Sequence, residues 1–216
     1  MKLLSLIGTA LLFTQVAVAG VIKYEDGTRT INGVSVGRSA ELSVDNGVYH
    51  MDVIGAGLRT KKVLVANVNV YVAQVYVDNA GAFVRTADGA VKSIDNMKAG
   101  AIRLTFLRDV EADKVKVSFR DAFDANDINT DEPGIAAFLN AVSDGGDAEG
   151  NKTLNISFAR LDDGSVRVIY EDTKGKETTV IGNAALANSI FAIWLGEPAD
   201  AGLATLKKEL LKGITQ

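Results

Sequence analysis

Arg59 carries the sharpest chemistry in this chain, because it follows Gly55-Ala56-Gly57 and stands at the head of a run of alternating apolar residues that lasts to Asp78. A guanidinium stays charged and presents its N–H groups as a planar fork. Beside a cavity lined by Val, Leu and Phe it therefore requires an anion, and a ligand carboxylate or phenolate accepts two of its hydrogen bonds. Tyr71, further along the same run, is placed to donate a third. The alternative is that Arg59 sits at the solvent end of a strand and pairs with an acid such as Asp52. Lys61 and Lys62 read as a solvated strand edge, and Tyr76 and Trp194 as core aromatics. His50 is the single histidine and lies in a strand-like segment, where such a residue is more often a surface group than a catalytic one. With no cysteine either, most routes to a transition-metal site are closed, and neither a metal nor another cofactor is expected.

These residues need elements to hold them. Val63, Val65, Tyr71, Ala73, Val75 and Val77 share one parity, and Val68, Val70, Val72 and Tyr76 the other. The pattern predicts one long central strand over 63–78, covered on both sides and entered through a turn at Gly55-Ala56-Gly57. Asn67 and Asn69 interrupt it and mark a polar cavity or a bulge. Upstream, residues 20–47 are polar and punctuated by Gly27, Gly33 and Gly37, which reads as an irregular arm with one or two weak strands, followed by a strand over 47–54. Downstream, residues 79–100 read as a connection with at most one short element, and 101–107 as a strand. Helices follow over 113–126 and from the start signal Thr130-Asp131-Glu132-Pro133. Alternation on either side of Asp162-Asp163-Gly164, and again over 177–181, predicts a three-stranded meander. Two final helices begin at Asn183 and Asp200, separated by Gly196-Glu197-Pro198. Without a regular βαβ alternation, this order predicts an α+β fold, an antiparallel sheet with helices layered on one face.

The first residues stand apart from that fold. Lys2, an apolar run over 3–13 and Ala17-Val18-Ala19 form the pattern of a signal peptide, 1–19, cleaved to leave Gly20 at the N-terminus. The apolar run is shorter than the ~20 residues of a spanning helix. Export to a bacterial periplasm is the simplest destination, with no stable membrane insertion once the leader is removed. A formal charge of -4, with lysines and arginines scattered singly, argues against a nucleic-acid partner. The arm and one domain over 48–216 complete the organisation; no feature sets an oligomeric state.

Gly55-Ala56-Gly57-Leu58-Arg59, the strand ending Val75-Tyr76-Val77-Asp78, the helix pair, and Ile193-Trp194-Leu195-Gly196-Glu197-Pro198 before a Lys/Leu helix together resemble the chalcone isomerase family, in its bacterial chalcone isomerase-like branch. The resemblance implies an open-faced β-sandwich with a large antiparallel sheet and a small β layer near a ligand cleft. In the plant enzymes of that family, an arginine, hydroxyl groups and a tyrosine-lysine-asparagine set close a flavanone ring. Arg59 matches the arginine, but the strand threonine falls at Tyr71, and the helix positions fall near Lys114, Val117 and Asp121. Ile193 and Trp194 stand where a hydroxyl would precede the late glycine. Cyclisation needs a group for the phenolate and another for the ketone or a water, and Arg59 supplies only the first. Non-catalytic relatives bind fatty acids through an arginine and nearby hydroxyls. The resemblance therefore implies a small amphipathic anion, such as a fatty acid, held by Arg59 and Tyr71, with no catalytic residue assigned. An isomerase or lyase working through Arg59 on an enone, and an interaction module with a filled cleft, remain the rival readings.

Overall fold

The alternating run that ends at Asp78 is divided in the computed structural model, which describes residues 21–44 and 47–214. The leader expected at 1–19 lies outside the described residues. Strands β3 (Gly47–Val63) and β4 (Ala66–Val77) are antiparallel partners joined by a two-residue turn at Leu64 and Val65. The single strand expected over 63–78 is thus a hairpin tip and one of its arms. Val-Leu-Val has strong strand propensity and none of the usual turn residues, so the reversal left no mark in the pattern.

The turn expected at Gly55-Ala56-Gly57 is likewise absent, since both glycines lie inside β3. Their role is close approach. A Cβ at Gly55 would strike the carbonyl oxygen of Leu210, and one at Gly57 would come within 2.7 Å of Glu209 Cβ, both on α5 (Ala201–Lys212). Bare backbone lets that helix lie directly against the strand. Register shifts leave Ile54 and Val70 as extra residues in the β3–β4 ladder, the second beside Asn69, where the sequence predicted a bulge or a cavity.

The other strands are β1 (Ile22–Ile31), β2 (Val34–Val44), β5 (Ala99–Phe106), β6 (Thr153–Arg160), β7 (Val166–Glu171) and β8 (Glu177–Gly182). All eight join in sequence order in one antiparallel sheet. Its remaining helices are the short α1 (Ala90–Ser93), then α2 (Ala112–Ala125), α3 (Pro133–Asp144) and α4 (Leu186–Leu195). Pro133 opens α3, where its missing N–H costs nothing, and the Glu132 carboxylate accepts the Ile135 N–H at 3.1 Å. On the helical side, Tyr71, Ala73, Val75 and Val77 of β4 share a core with Val115, Phe119 and Phe123 of α2 and with Ile190 and Trp194 of α4.

The opposite face is covered too. Tyr76, Ala99, Ala101 and Ile169 pack against Ala40, Leu42, Val44 and Met51, with Tyr24 at the margin. The sheet must therefore curl so that β1 and β2 lie over its outer side, where Tyr24 Oη donates to Asn155 Oδ1 at 2.9 Å. The irregular arm expected over 20–47 is corrected to this hairpin. Its turn is Asn32-Gly33, with φ of 49° and 82°, the pair that a type I′ connection requires. Its glycines also make room rather than breaks, as a Cβ at Gly37 would strike Tyr76 Oη. The α+β class and the antiparallel sheet with helices on one face are as the sequence predicts.

Candidate functional site

Arg59 and Tyr71 are direct cross-strand partners in the β3–β4 ladder, so their side chains leave the sheet on the same face. Both line a cleft of about 800 Å³ between this part of the sheet and α2. Val70, Phe106, Val115 and Phe119 supply apolar walls, and Lys61, Val63, Lys114 and Val117 stand toward the rim. Such a space is within the ~300–1,000 Å³ of ordinary small-molecule sites. The residues singled out for an anion are thus brought together at the buried end of an apolar cleft.

The guanidinium does not wait there unpaired. Arg59 is 3% exposed and its Nη2 donates to Asp200 Oδ2 at 2.6 Å, while Nη1 donates to the Thr60 carbonyl. The partner considered from sequence, Asp52, lies exposed on β3. Asp200 is also the N-cap of α5, where its Oδ1 accepts the Leu203 N–H at 2.9 Å. At Gly202, in the first turn of that helix, a Cβ would strike the Thr60 carbonyl and Arg59 Nη1. The helix start is therefore pressed against the guanidinium, and the same contacts that seat α5 hold Arg59 in place.

Charge and burial set the state of each group. Partial burial of Asp200 works to raise its carboxyl, but the Arg59 hydrogen bond, the Leu203 N–H and the Arg59 charge outweigh it and hold it below the usual carboxylate value. Burial pushes the Tyr71 phenol up, tempered by the Arg59 charge and by the Trp194 hydrogen bond. Tyr71 stays a phenol at neutral pH. Trp194 Nε1 donates to Tyr71 Oη at 3.1 Å, so the oxygen is oriented as an acceptor from the core while its own O–H remains a donor. Trp194 is fully buried and edge-on to Phe119 with ring centroids 5.4 Å apart. Tyr76 faces the other side of the sheet, where its hydroxyl donates to Gln74 Oε1 at 2.6 Å.

A ligand cleft and an arginine within it are what the sequence resemblance implied; the seating of that arginine by α5 was not part of it. The chain matches the model of the chalcone isomerase-like family over residues 28–212. It belongs to that family. As a chalcone isomerase-like protein, it resembles the crystal structure of the fatty-acid binding protein AtFAP1 of Arabidopsis thaliana, with a TM-score of 0.59 and 18% sequence identity. The superposition covers 87% of this chain and 97% of that one. No curated protein matches the chain.

Several positions of this family member depart from the plant pattern in space as well as in sequence. Lys114 and Val117 line the cleft, but Lys114 Nζ is paired with Glu111 Oε1 at 2.8 Å. Asp121 is exposed and does not line it. Ile193 and Trp194 are buried. Asp200 is the residue that the sequence reading missed. Its only local signature is that of a helix N-cap, and nothing in a chain of alternating strands links it to an arginine 141 residues earlier.

Proposed function

We propose that this protein binds a small amphipathic anion such as a fatty acid, after export through its N-terminal leader, and that it does so without chalcone isomerase chemistry. The observation that carries the reading is the coincidence of two buried donors with an apolar cleft. The guest's carboxylate meets the remaining N–H groups of Arg59 and the Tyr71 O–H, and its tail lies between sheet and α2 along Val70, Phe106, Val115 and Phe119. Asp200 offsets the charge of Arg59 but occupies only part of its five-donor fork. The fold-level similarity to a fatty-acid binding protein supports the same reading. The reading without cyclisation is supported by the departure from the plant pattern, since the tyrosine-lysine-asparagine set is not reproduced and Ile193 and Trp194 stand where a hydroxyl would precede the late glycine.

The test is recovery of guest. Protein expressed from Met1 and purified gently is extracted for lipid mass spectrometry, beside Arg59→Ala and Tyr71→Phe. Fatty acids are expected to accompany wild type and to be lost with Arg59→Ala. Tyr71→Phe is expected to weaken rebinding of a fluorescent fatty acid by about three- to tenfold, the value of one hydrogen bond of ~1 kcal/mol. Equal recovery from wild type and Arg59→Ala would exclude this head-group site. The intact mass of the purified chain reads the export proposal, for which Gly20 is the expected N-terminus.

A further inference from the structure

We propose that the β3–β4 hairpin tip is a docking element for an anionic lipid bilayer. Leu64 and Val65 are 91% and 96% exposed and project from the sheet almost wholly into solvent, and Val63 beside them is 51% exposed. Lys61 and Lys62 stand directly behind them, both exposed. Among the described residues neither lysine makes an ion pair. No acid occurs anywhere between Asp52 and Asp78, in a chain whose formal charge is -4. The tip segment thus joins apolar side chains to two cations on a molecule of net negative charge, with the carboxylates of Asp109, Glu111, Asp113 and Asp147 set around the cleft behind it.

The turn itself is built against local preference. Leu64 has a φ of +54°, a region that an L side chain enters at a cost of about 1–2 kcal/mol. The β1–β2 hairpin, also closed by a two-residue turn, uses Asn32-Gly33 and relaxes this strain with polar residues. At the β3–β4 tip, where only the first turn residue has a positive φ, the reversal is made by two fully presented apolar side chains, which folding alone does not account for. Their chemistry suits a bilayer: Leu64 and Val65 enter the acyl boundary while the two ammonium groups stay at the phosphates. A protein partner is the poorer fit, since a stable interface buries about 800 Å² on each side and a hairpin tip presents a single ridge. Lys61 and Val63 also line the cleft, so docking by the tip brings the cleft close to the lipid surface.

The probe is sedimentation with vesicles of phosphatidylcholine containing phosphatidylglycerol, against vesicles of phosphatidylcholine alone, using protein expressed from Met1 and stripped of lipid. The wild type is expected to prefer the anionic vesicles and to be released by salt. Each lysine contributes about fivefold near an anionic surface, so Lys61→Gln with Lys62→Gln is expected to weaken binding by roughly 20-fold. Leu64→Ser with Val65→Ser is expected to cost at least about tenfold. Unchanged melting temperatures establish that these exposed substitutions leave the fold intact. As a second measurement, Val65→Trp is expected to shift its emission to the blue on anionic vesicles. Failure of wild type to sediment, equal sedimentation of the tip variants, an unmoved tryptophan, or a tip variant that turns an oligomer into a monomer without affecting vesicles would each overturn the assignment. None of these readouts depends on what the cleft holds.

Discussion

Asp200→Ala is expected to lower the melting temperature by about 6–12 °C. Two losses combine. Removing one member of a buried ion pair costs about 3–5 kcal/mol when both charges are sequestered. Here the Arg59 side chain is 3% exposed but that of Asp200 is 39% exposed, so solvent already screens part of the attraction and about 2 kcal/mol is the discounted figure. Alanine also leaves the Leu203 N–H without its cap, worth about 1 kcal/mol. In a domain of this size each kcal/mol moves the transition by about 2–4 °C. Asp200→Asn keeps a good cap and isolates the charge, so it should show about two thirds of the loss. Scanning calorimetry of the two variants beside wild type checks the partition.

The same pair gives a pH signature. The folded Asp200 carboxyl titrates below its unfolded value, so the folded protein binds that proton less readily than the unfolded chain. Its stabilisation is complete above the unfolded value of about 4 and is lost as pH falls through the lower folded value. The gap in stability between wild type and Asp200→Asn is therefore expected to be constant from neutral pH down to about 4 and to close below it. A gap that persisted at the lowest pH would mean that the variant acts through shape rather than charge.

What the sequence made legible divides along physical lines. Strongly periodic segments were read well. The helix with Val115, Phe119 and Phe123, the proline-led start at Pro133 and the Asp-Gly hairpin at Gly164 carry their signals within a few residues of one another. Positions defined by a distant partner were not. Gly55 and Gly57 look like a turn because nothing local distinguishes a glycine that bends the chain from one that admits a helix. Val63 and Val65 look like strand interior because propensity reports the side chain and not its solvent, and here the first ends a strand and the second lies in an exposed reversal. Residues 22–44 looked irregular since their buried side chains contact a face that the sheet covers only by curling back on itself. Of the candidate site, Arg59 and Tyr71 were within reach because the family resemblance matched the first and laid its strand threonine on the second, although the two lie on paired strands and not along one run. Asp200 was not, because its link to Arg59 is tertiary.

Gly55→Ala is the second large effect, and it acts on the same helix from the other end. The added methyl would meet three backbone atoms of Leu210, with the carbonyl carbon at 2.7 Å and Cα at 2.8 Å, and a helix backbone cannot rotate aside as a side chain can. Either β3 moves at the Ile54 bulge or α5 lifts. If α5 lifts, Leu203, Leu206 and Leu210 lose part of their burial, and Asp200 at the head of the helix draws away from Arg59. A cost of about 3 kcal/mol or more follows, at or beyond the upper end for overpacking. Because both substitutions work through the seating of α5, they should not add. Once the helix is displaced, little of the Arg59–Asp200 attraction is left to remove, so Gly55→Ala combined with Asp200→Asn is expected to fall short of the summed losses by at least about 1 kcal/mol. Denaturant titration of the four proteins measures that shortfall. Strict additivity would mean that the strand, and not the helix, yields to the methyl, and that the guanidinium is held independently of how α5 lies.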